Sequence, residues 1–418
     1  MLESKISYII DHIRRRNIYV PLLALTAIML MYTEAGLRND FDIFLAASKA
    51  LFEGKDIYTE TYFDGYHYYY STLFAILLYP LGLLPTFLAK SIWIIANLII
   101  LARMLRLTDM QFIVLGVRKS LRNIILLFLV LFCLRLIKGN LHLGQMTILI
   151  LYLSLESLHQ LKKGQILWAA FLLSLAINIK ILPIVLIPYF IYRGQFKVVL
   201  ATALTLSLMA FGPGLMVGHQ YNREMLHSWW ELVNPSQQKH LFDLEETSFH
   251  SLTTIIPIFF MEETSDRSSI DVSRNIFDFT SDQVLIIIHV SRSLFVLATL
   301  WFLRTLPLKK SISPVHEWWE ISYIFLSIPL IFPHQQHYSF LFIWPAIAYL
   351  LVHISNESRR IIPVVFLVII YLSINAAMLL GFWRHYFEHF KILSFGAILC
   401  AIMLAISKPD KKWQNLPR

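Results

Sequence analysis

Long apolar runs recur along this chain from Ile18 to Ser407, separated by short stretches that hold most of the charge. Each run is close to the roughly 20 residues that cross the hydrocarbon of a bilayer. Inside hydrocarbon a backbone satisfies its N–H and C=O groups only as a helix or a closed barrel. Charged residues make up 15% of the 418 positions and hydrophobic ones 57%, against about 25% charged in soluble domains. A soluble fold is excluded, and the runs predict an all-α polytopic membrane protein. The first run is too long, and lacks the small-residue cleavage pattern, for a removable signal peptide.

Length and charged interruptions predict about twelve transmembrane helices, at 17–34, 88–106, 122–138, 144–160, 165–179, 181–193, 196–217, 284–304, 318–332, 336–353, 360–380 and 390–407. The pair 165–179 and 181–193 reads as a tight pair, one broken helix or partly re-entrant segments. The apolar stretch 68–84 reads as interfacial or re-entrant, because a crossing there would invert every later segment. Lys and Arg mark cytoplasmic loops, and they fall in alternate loops here: Arg103 to Arg122, Lys162 and Lys163, Arg193 and Lys197, Arg304 to Lys310, Arg359 and Arg360, and the tail from Lys408. With HIRRRN before the first run, both termini are expected inside a cell (inner) membrane. The whole chain, 1–418, reads as one membrane domain with two long outer loops, 35–87 and 218–283. The second holds Glu245, Glu246, Glu262, Glu263 and Asp266.

The net charge of +9 comes from clusters between apolar runs rather than from one basic stripe, which excludes nucleic acid as the natural partner. Cys133 and Cys400 lie inside apolar runs and read as small hydrophobes. No Walker P-loop and no GxGxxG is present.

The polar residues that break the pattern share the outer side: Asp40 and Asp42 in NDFDIF; Asn140, His142 and Gln145 in KGNLHLGQMT; Lys180 in INIKILP; His334 and His337 in PHQQHY. Each has an ordinary reading as well. Asp40 suits the N-cap of a helix beginning near Phe41, and Asp42 its first turn. Lys180 could snorkel to headgroups, or aim an ammonium at a phosphate. His334 and His337, three apart, would share a side if the turn were helical. They could donate to phosphate oxygens or bind metal, and no third ligand of matching spacing accompanies them, so no metal or other cofactor is expected, a divalent ion being left open. Gln145 and His142 read as helix-start polar groups or sugar contacts. Tyr58, Tyr62, Tyr66, His67, Tyr68, Tyr69 and Tyr70 form an interfacial belt, the tyrosines also offering a surface for stacking on sugars. A carboxylate with a cation and imidazoles at one membrane face suits attack by a hydroxyl on a lipid-phosphate sugar: the carboxylate takes the proton and the cation stabilises the departing phosphate. A secondary transporter or lipid flippase is the alternative, although the halves show no repeat of the kind such folds carry.

The run DFDIFLAASKALFEGKDIY (40–58) resembles the first extracytoplasmic loop of glycosyltransferase family 87. These are GT-C membrane enzymes that include polyprenyl-phosphate-mannose-dependent mannosyltransferases. LLYPLGLLPTFLAKSIWIIANL (77–98), LGQMTILIL (143–151), NIKILPIVLIPYFIYRGQFK (178–197) and HYSFLFIWPAIAYLL (337–351) are similar to it in the same order. The resemblance implies a GT-C bundle and an inverting transfer of a sugar, mannose or a related monosaccharide, from a polyprenyl-phosphate donor to a glycan or glycolipid acceptor. By the match Asp40 takes the catalytic-base position with Asp42 an extra acid, Lys180 the lysine before the Pro, and His337 the late-loop histidine, while Tyr58 fits the loop pattern. Joined to the residue reading, this puts Lys180, His337 and His334 at the donor phosphate and Asp42, Tyr58, Gln145 and His142 at weaker substrate contacts. Tyr70-Ser71-Thr72 stands where the family has Tyr-Pro-Pro, Thr147 where it has Asn, and Phe332-Pro333 where it commonly has Ser-Pro.

Overall fold

The computed structural model describes residues 19–234, 242–244, 247–261, 270, 272–356 and 361–409. The amino-terminal HIRRRN cluster, Glu245, Glu246, Glu262, Glu263, Asp266, Arg359, Arg360 and the tail from residue 410 lie outside the described residues. Every regular element among the described residues is helical; the β contact there is an isolated bridge between Phe249 and Gln336.

In chain order the helices begin with α1 (Tyr19–Glu34), α2 (Asp40–Phe52), α3 (Thr72–Gly82), α4 (Thr86–Val114), α5 (Lys119–Phe132) and α6 (Leu134–Leu143). Next come α7 (Thr147–Lys162), α8 (Ile166–Ile179), α9 (Leu186–Tyr192), α10 (Phe196–Phe211), α11 (Gly214–Val217) and α12 (His219–Val233). The remainder holds α13 (Leu252–Phe260), α14 (Ser281–Leu303), α15 (Pro314–Ile331), α16 (Trp344–Asn356), α17 (Ile361–Asn375), α18 (Arg384–His389) and α19 (Ile392–Ile406).

Among the described residues five helical stretches are long and apolar enough to cross a membrane: Thr86–Val114, Phe196–Val217, Ser281–Leu303, His337–Asn356 and Ile361–Met378. Two bent pairs, α5 with α6 at 54° and Gly381–His389 with α19 at 64°, make seven if each pair is one span. Some predicted crossings are shorter helices. Ile166–Ile179 and Leu182–Tyr192, like Thr72–Gly82 in the stretch 68–84 not counted as a crossing, each have 10–17 residues, about 15–25 Å at 1.5 Å per residue, under the roughly 30 Å of hydrocarbon. The stretch 165–193 is broken: α8 ends at Ile179, Lys180 is extended (φ −147°, ψ 128°), and a 3-10 turn at Leu182–Val185 leads into α9. Pro183 cannot continue the helix, because it lacks an N–H and disfavours α geometry in the residue before it. The two long loops of the sequence reading carry α2 and α3, and α12 and α13.

The chain divides into two compact units, residues 1–108 with 139–234, and residues 109–138 with 235–418. In the first, α8 packs on α7 and α10, and α2 packs on α3. Small polar side chains tie the first set together: Ser157 donates to the Ala169 carbonyl (2.7 Å) and Ser174 to that of Thr202 (3.1 Å). Helices in lipid gain little from burying apolar surface against one another, so such bonds and close packing hold them. In the second unit α15 packs on α16, and α17 on α19. Its core is aromatic, with Trp319, Phe325, Phe340, Phe342, Trp344 and Tyr349 all within 1% of complete burial. The polar ends are satisfied: Trp319 donates to the Leu404 carbonyl (2.7 Å) and Tyr349 to that of Ser407 (2.8 Å). Gly396 permits the α17–α19 contact, since a Cβ there would lie 1.8 Å from Ser373 Oγ.

Candidate active site

The first unit separates the two acids of NDFDIF. Asn39, not Asp40, is the N-cap of α2. Its backbone is extended (φ −153°), its Oδ1 accepts the Phe41 N–H (3.2 Å), and its Nδ2 donates to the His142 carbonyl (2.9 Å). Asp42 stands three positions on and completes a capping box, its Oδ2 taking the Asn39 N–H at 2.8 Å. The same oxygen receives the Lys90 ammonium at 2.7 Å, and Lys90 also donates to the Leu37 carbonyl. Lys90 is only 4% exposed, so Asp42 supplies the countercharge that burial of a lysine requires. Asp40, at the first helical position, is therefore relieved of the capping role expected for it. Lys90 escaped the sequence reading; its signal was an ammonium one turn into an apolar helix.

Asp40 meets the α6–α7 turn. The Gln145 carboxamide donates through Nε2 to Asp40 Oδ2 and accepts through Oε1 from the Tyr70 hydroxyl (2.9 Å). The turn reaches α2 because residue 144 is glycine: it has φ +66°, and a Cβ would come 2.6 Å from the Phe41 Cβ. Burial, with the charge of Asp40 adding to it, raises the Tyr70 hydroxyl well above its ordinary range. Tyr70 thus stays a donor at any physiological pH. Its ring packs edge-on against Phe44 (4.8 Å between centroids), one helical turn beyond Asp40 on the same face of α2.

Lys180 lies in the α8 break, outside every stretch of spanning length. Among the described residues its ammonium makes no hydrogen bond and no ion pair within 4.0 Å. Burial lowers its pKa from 10.5 to about 8, while the charge of Asp40 acts in the opposite sense. Asp40 and Lys180 therefore share a poorly solvated region without closing on each other. Two residues earlier, Asn178 Oδ1 accepts from Ser71 Oγ at 2.6 Å. A cavity of about 160 Å³ adjoins, walled by Ile177, Ile181, Ile184, Leu206 and Leu226, with Tyr58, Ser71, Thr72 and Asn178 as its polar lining.

The weaker candidates have structural engagements. Tyr58 is buried, its hydroxyl bonded to the Tyr70 carbonyl (3.0 Å) and Thr72 (3.1 Å). His142 pairs through Nδ1 with Glu34 (2.6 Å) and is half exposed. Tyr68 and Tyr70 are buried while Tyr66 and Tyr69 are exposed, so the tyrosine run is part core and part surface.

His334 and His337 belong to the second unit, and PHQQHY does not form one helical turn. His334 is left-handed (φ +56°), Gln336 is extended, and a 3-10 helix begins at His337. The segment is pinned by the Phe249–Gln336 bridge and by the His250 N–H donating to the Gln335 carbonyl (2.8 Å). Asp243 accepts the His334 N–H (2.6 Å) and faces its ring at 3.1 Å. The imidazole of His337 has no hydrogen-bond partner among the described residues. Its electrostatic neighbours are Arg135, His250, Arg384 and Glu388. Glu388 joins Arg135 and His250 (3.0 Å to the latter), and burial lowers the His250 pKa to about 4 despite that carboxylate. His250 is thus neutral at pH 7. This cluster was missed in the sequence because its members are spread from residue 135 to 388. Among the described residues no three His, Cys, Asp or Glu side chains converge closely enough to hold a metal ion.

A sequence model of glycosyltransferase family 87 matches residues 68–255, a stretch that includes Tyr70, His142, Gln145 and Lys180 and excludes Asp40, His334 and His337. None of the curated proteins compared with the chain matches it. The chain is similar to glycosyltransferase family 87, and that similarity, with the apolar helices, implies a multi-pass membrane glycosyltransferase.

Proposed function

We propose that this protein transfers a sugar, mannose or a related monosaccharide, from a polyprenyl-phosphate donor to a glycan or glycolipid acceptor at the extracytoplasmic face, with inversion. One observation carries the reading: the Asp40 carboxylate, steadied by Gln145, acts at a distance on a Lys180 ammonium that makes no ion pair within 4.0 Å among the described residues. A charge left unpaired at a cost in folding stability marks a site that awaits its partner.

In the proposed step Asp40 takes the proton of an acceptor hydroxyl as the oxygen attacks the anomeric carbon. The bond from that carbon to the phosphate oxygen breaks, the electron pair leaves with the polyprenyl phosphate, and Lys180 stabilises the anion. One displacement from the opposite face inverts the centre. The adjoining cavity is about the size that holds a benzene-sized apolar group and suits the first part of the isoprenoid chain. His337, at the family's late-loop histidine position by the resemblance and with no hydrogen-bond partner for its imidazole among the described residues, is suited to donate to a phosphate, and the spacing in PHQQHY extends that role to His334. No observation favours transport or lipid flipping.

The test is purified protein incubated with a panel of polyprenyl-phospho-sugars and candidate glycan acceptors, with Asp40→Asn alongside. Asn39 and Asp42 carry the helix cap, so this variant is expected to fold normally and to lose transfer at least 1,000-fold, as a removed general base with its positioning can cost. Near-normal turnover would remove Asp40 from the mechanism.

A further inference from the structure

We propose that Tyr70 and Gln145 act together as positioning residues for the Asp40 carboxylate, and that Tyr70-Ser71 sets the spacing between Asp40 and Lys180. The proposal rests on Asp40 being the base. A carboxamide has two ends of nearly equal shape, and only one is a donor. Gln145 must present its N–H₂ to Asp40, because a rotated carboxamide would set two oxygens against each other. Tyr70 enforces that choice from the far end by donating to Oε1 at 2.9 Å.

Tyr70 is itself held on three sides. Its ring lies against Phe44 at 4.8 Å and Phe74 at 5.7 Å, and its carbonyl accepts from the Tyr58 hydroxyl at 3.0 Å. Because Phe44 and Asp40 are one turn apart on α2, whatever fixes Tyr70 on Phe44 also fixes it relative to Asp40. The next residue serves the other charge. Ser71 donates to Asn178 at 2.6 Å and caps α3 through the Phe74 N–H at 3.1 Å. Asn178 closes the last turn of α8 just before the break that carries Lys180. Two adjacent residues therefore brace the carboxylate and the ammonium. A proline at position 71 has no hydroxyl and could make neither bond. Gln145, assigned to substrate on the sequence, is reassigned to Asp40, and Tyr70 leaves the aromatic belt.

The test is a double-mutant cycle on the full-length protein, using a short-chain prenyl-phosphomannose and reading turnover as loss of the donor. Gln145→Ala is expected to lower kcat about 30-fold and Tyr70→Phe about 5-fold, with donor KM unchanged in both. The double variant is expected to match Gln145→Ala alone, since Tyr70 acts through that side chain. Gln145→Glu sets a second carboxylate beside Asp40 and is expected to move the acid limb of the rate profile up by at least about one pH unit. Lys180 and Tyr70, which both interact electrostatically with Asp40, stay protonated between pH 5 and 7, so neither of them titrates on that limb. Losses that multiply in the double variant would overturn the relay, as would a change confined to KM, which would return Gln145 to the substrate. If Asp40→Asn turns over normally, the reading of Asp40 and this proposal fail together. If Asp40→Asn is inactive while Tyr70→Phe is unaffected, only the relay fails. Size-exclusion and thermal profiles guard against misfolding, with Gln145→Glu as the variant closest in shape.

Discussion

Replacing Lys180 by methionine should make the protein more stable and less active at once. In water a lysine titrates at 10.5, and burial at the α8 break brings Lys180 down to about 8. At about 1.4 kcal/mol per pH unit this is a penalty of about 3 kcal/mol for keeping the ammonium charged in the folded protein. The side chain is partly accessible, and solvent screening reduces the figure to about 1–2 kcal/mol. The unfolded chain binds more protons than the folded one between pH 8 and 10.5, so stability should rise with pH through that window. Below pH 8 the full penalty applies, and Lys180→Met, of similar length and without charge, removes it. A cooperative unit of 150–250 residues shifts about 2–4 °C per kcal/mol. The variant's apparent Tm at pH 7 should therefore rise by about 2–8 °C, measured by thermal unfolding in detergent or lipid nanodiscs. Its kcat/KM for a prenyl-phosphate sugar should fall about 100-fold or more, the scale of losing one electrostatic donor to a developing anion. A Tm that falls instead would refute the reasoning, since it would mean that Lys180 makes a stabilising contact and serves the fold.

Three further outcomes follow from the same geometry. Donor KM should be flat from pH 6 to 7 and climb above about pH 8 as Lys180 loses its charge, and the climb should vanish in Lys180→Arg, because guanidinium stays protonated; steady-state kinetics across pH will show it. Asp42→Asn should lower stability by about 3–5 kcal/mol, because it strands the buried Lys90 ammonium, and Lys90→Met in the same chain should recover part of the loss in thermal melts. Gly144→Ala should cost about 2–4 kcal/mol from a left-handed backbone and a Cβ forced onto Phe41, together with a loss of turnover as Gln145 is moved from Asp40; an unchanged melt would show that the turn yields freely.

Much of the site was legible because its groups are out of place where they stand. A carboxylate at the end of an apolar run and a lysine between two apolar half-helices are conspicuous against 57% hydrophobic residues. Their identity as candidates therefore needed no structure. Their partners did. Asp40 and Asp42 looked like near equals in NDFDIF, yet the capping box and Lys90 claim Asp42 while Gln145, 105 positions away, claims Asp40. The three-residue spacing of His334 and His337 suggested a shared helical side, and the left-handed backbone at His334 removed it.

The sequence by itself determined the helical class, the membrane setting and the residues that burial makes costly, since these depend on local composition and on the backbone's need for internal hydrogen bonds. Only the tertiary structure decided where helices break and which polar groups meet. A helix ends where its neighbours leave it room to turn, as Gly144 does against Phe41, and a hydrogen bond depends on approach in space between residues a hundred positions apart. Local periodicity carries no record of either. For that reason Asp40 and Lys180 could be picked out in the chain, while Tyr70, Gln145 and Lys90 acquired their roles only once it was folded.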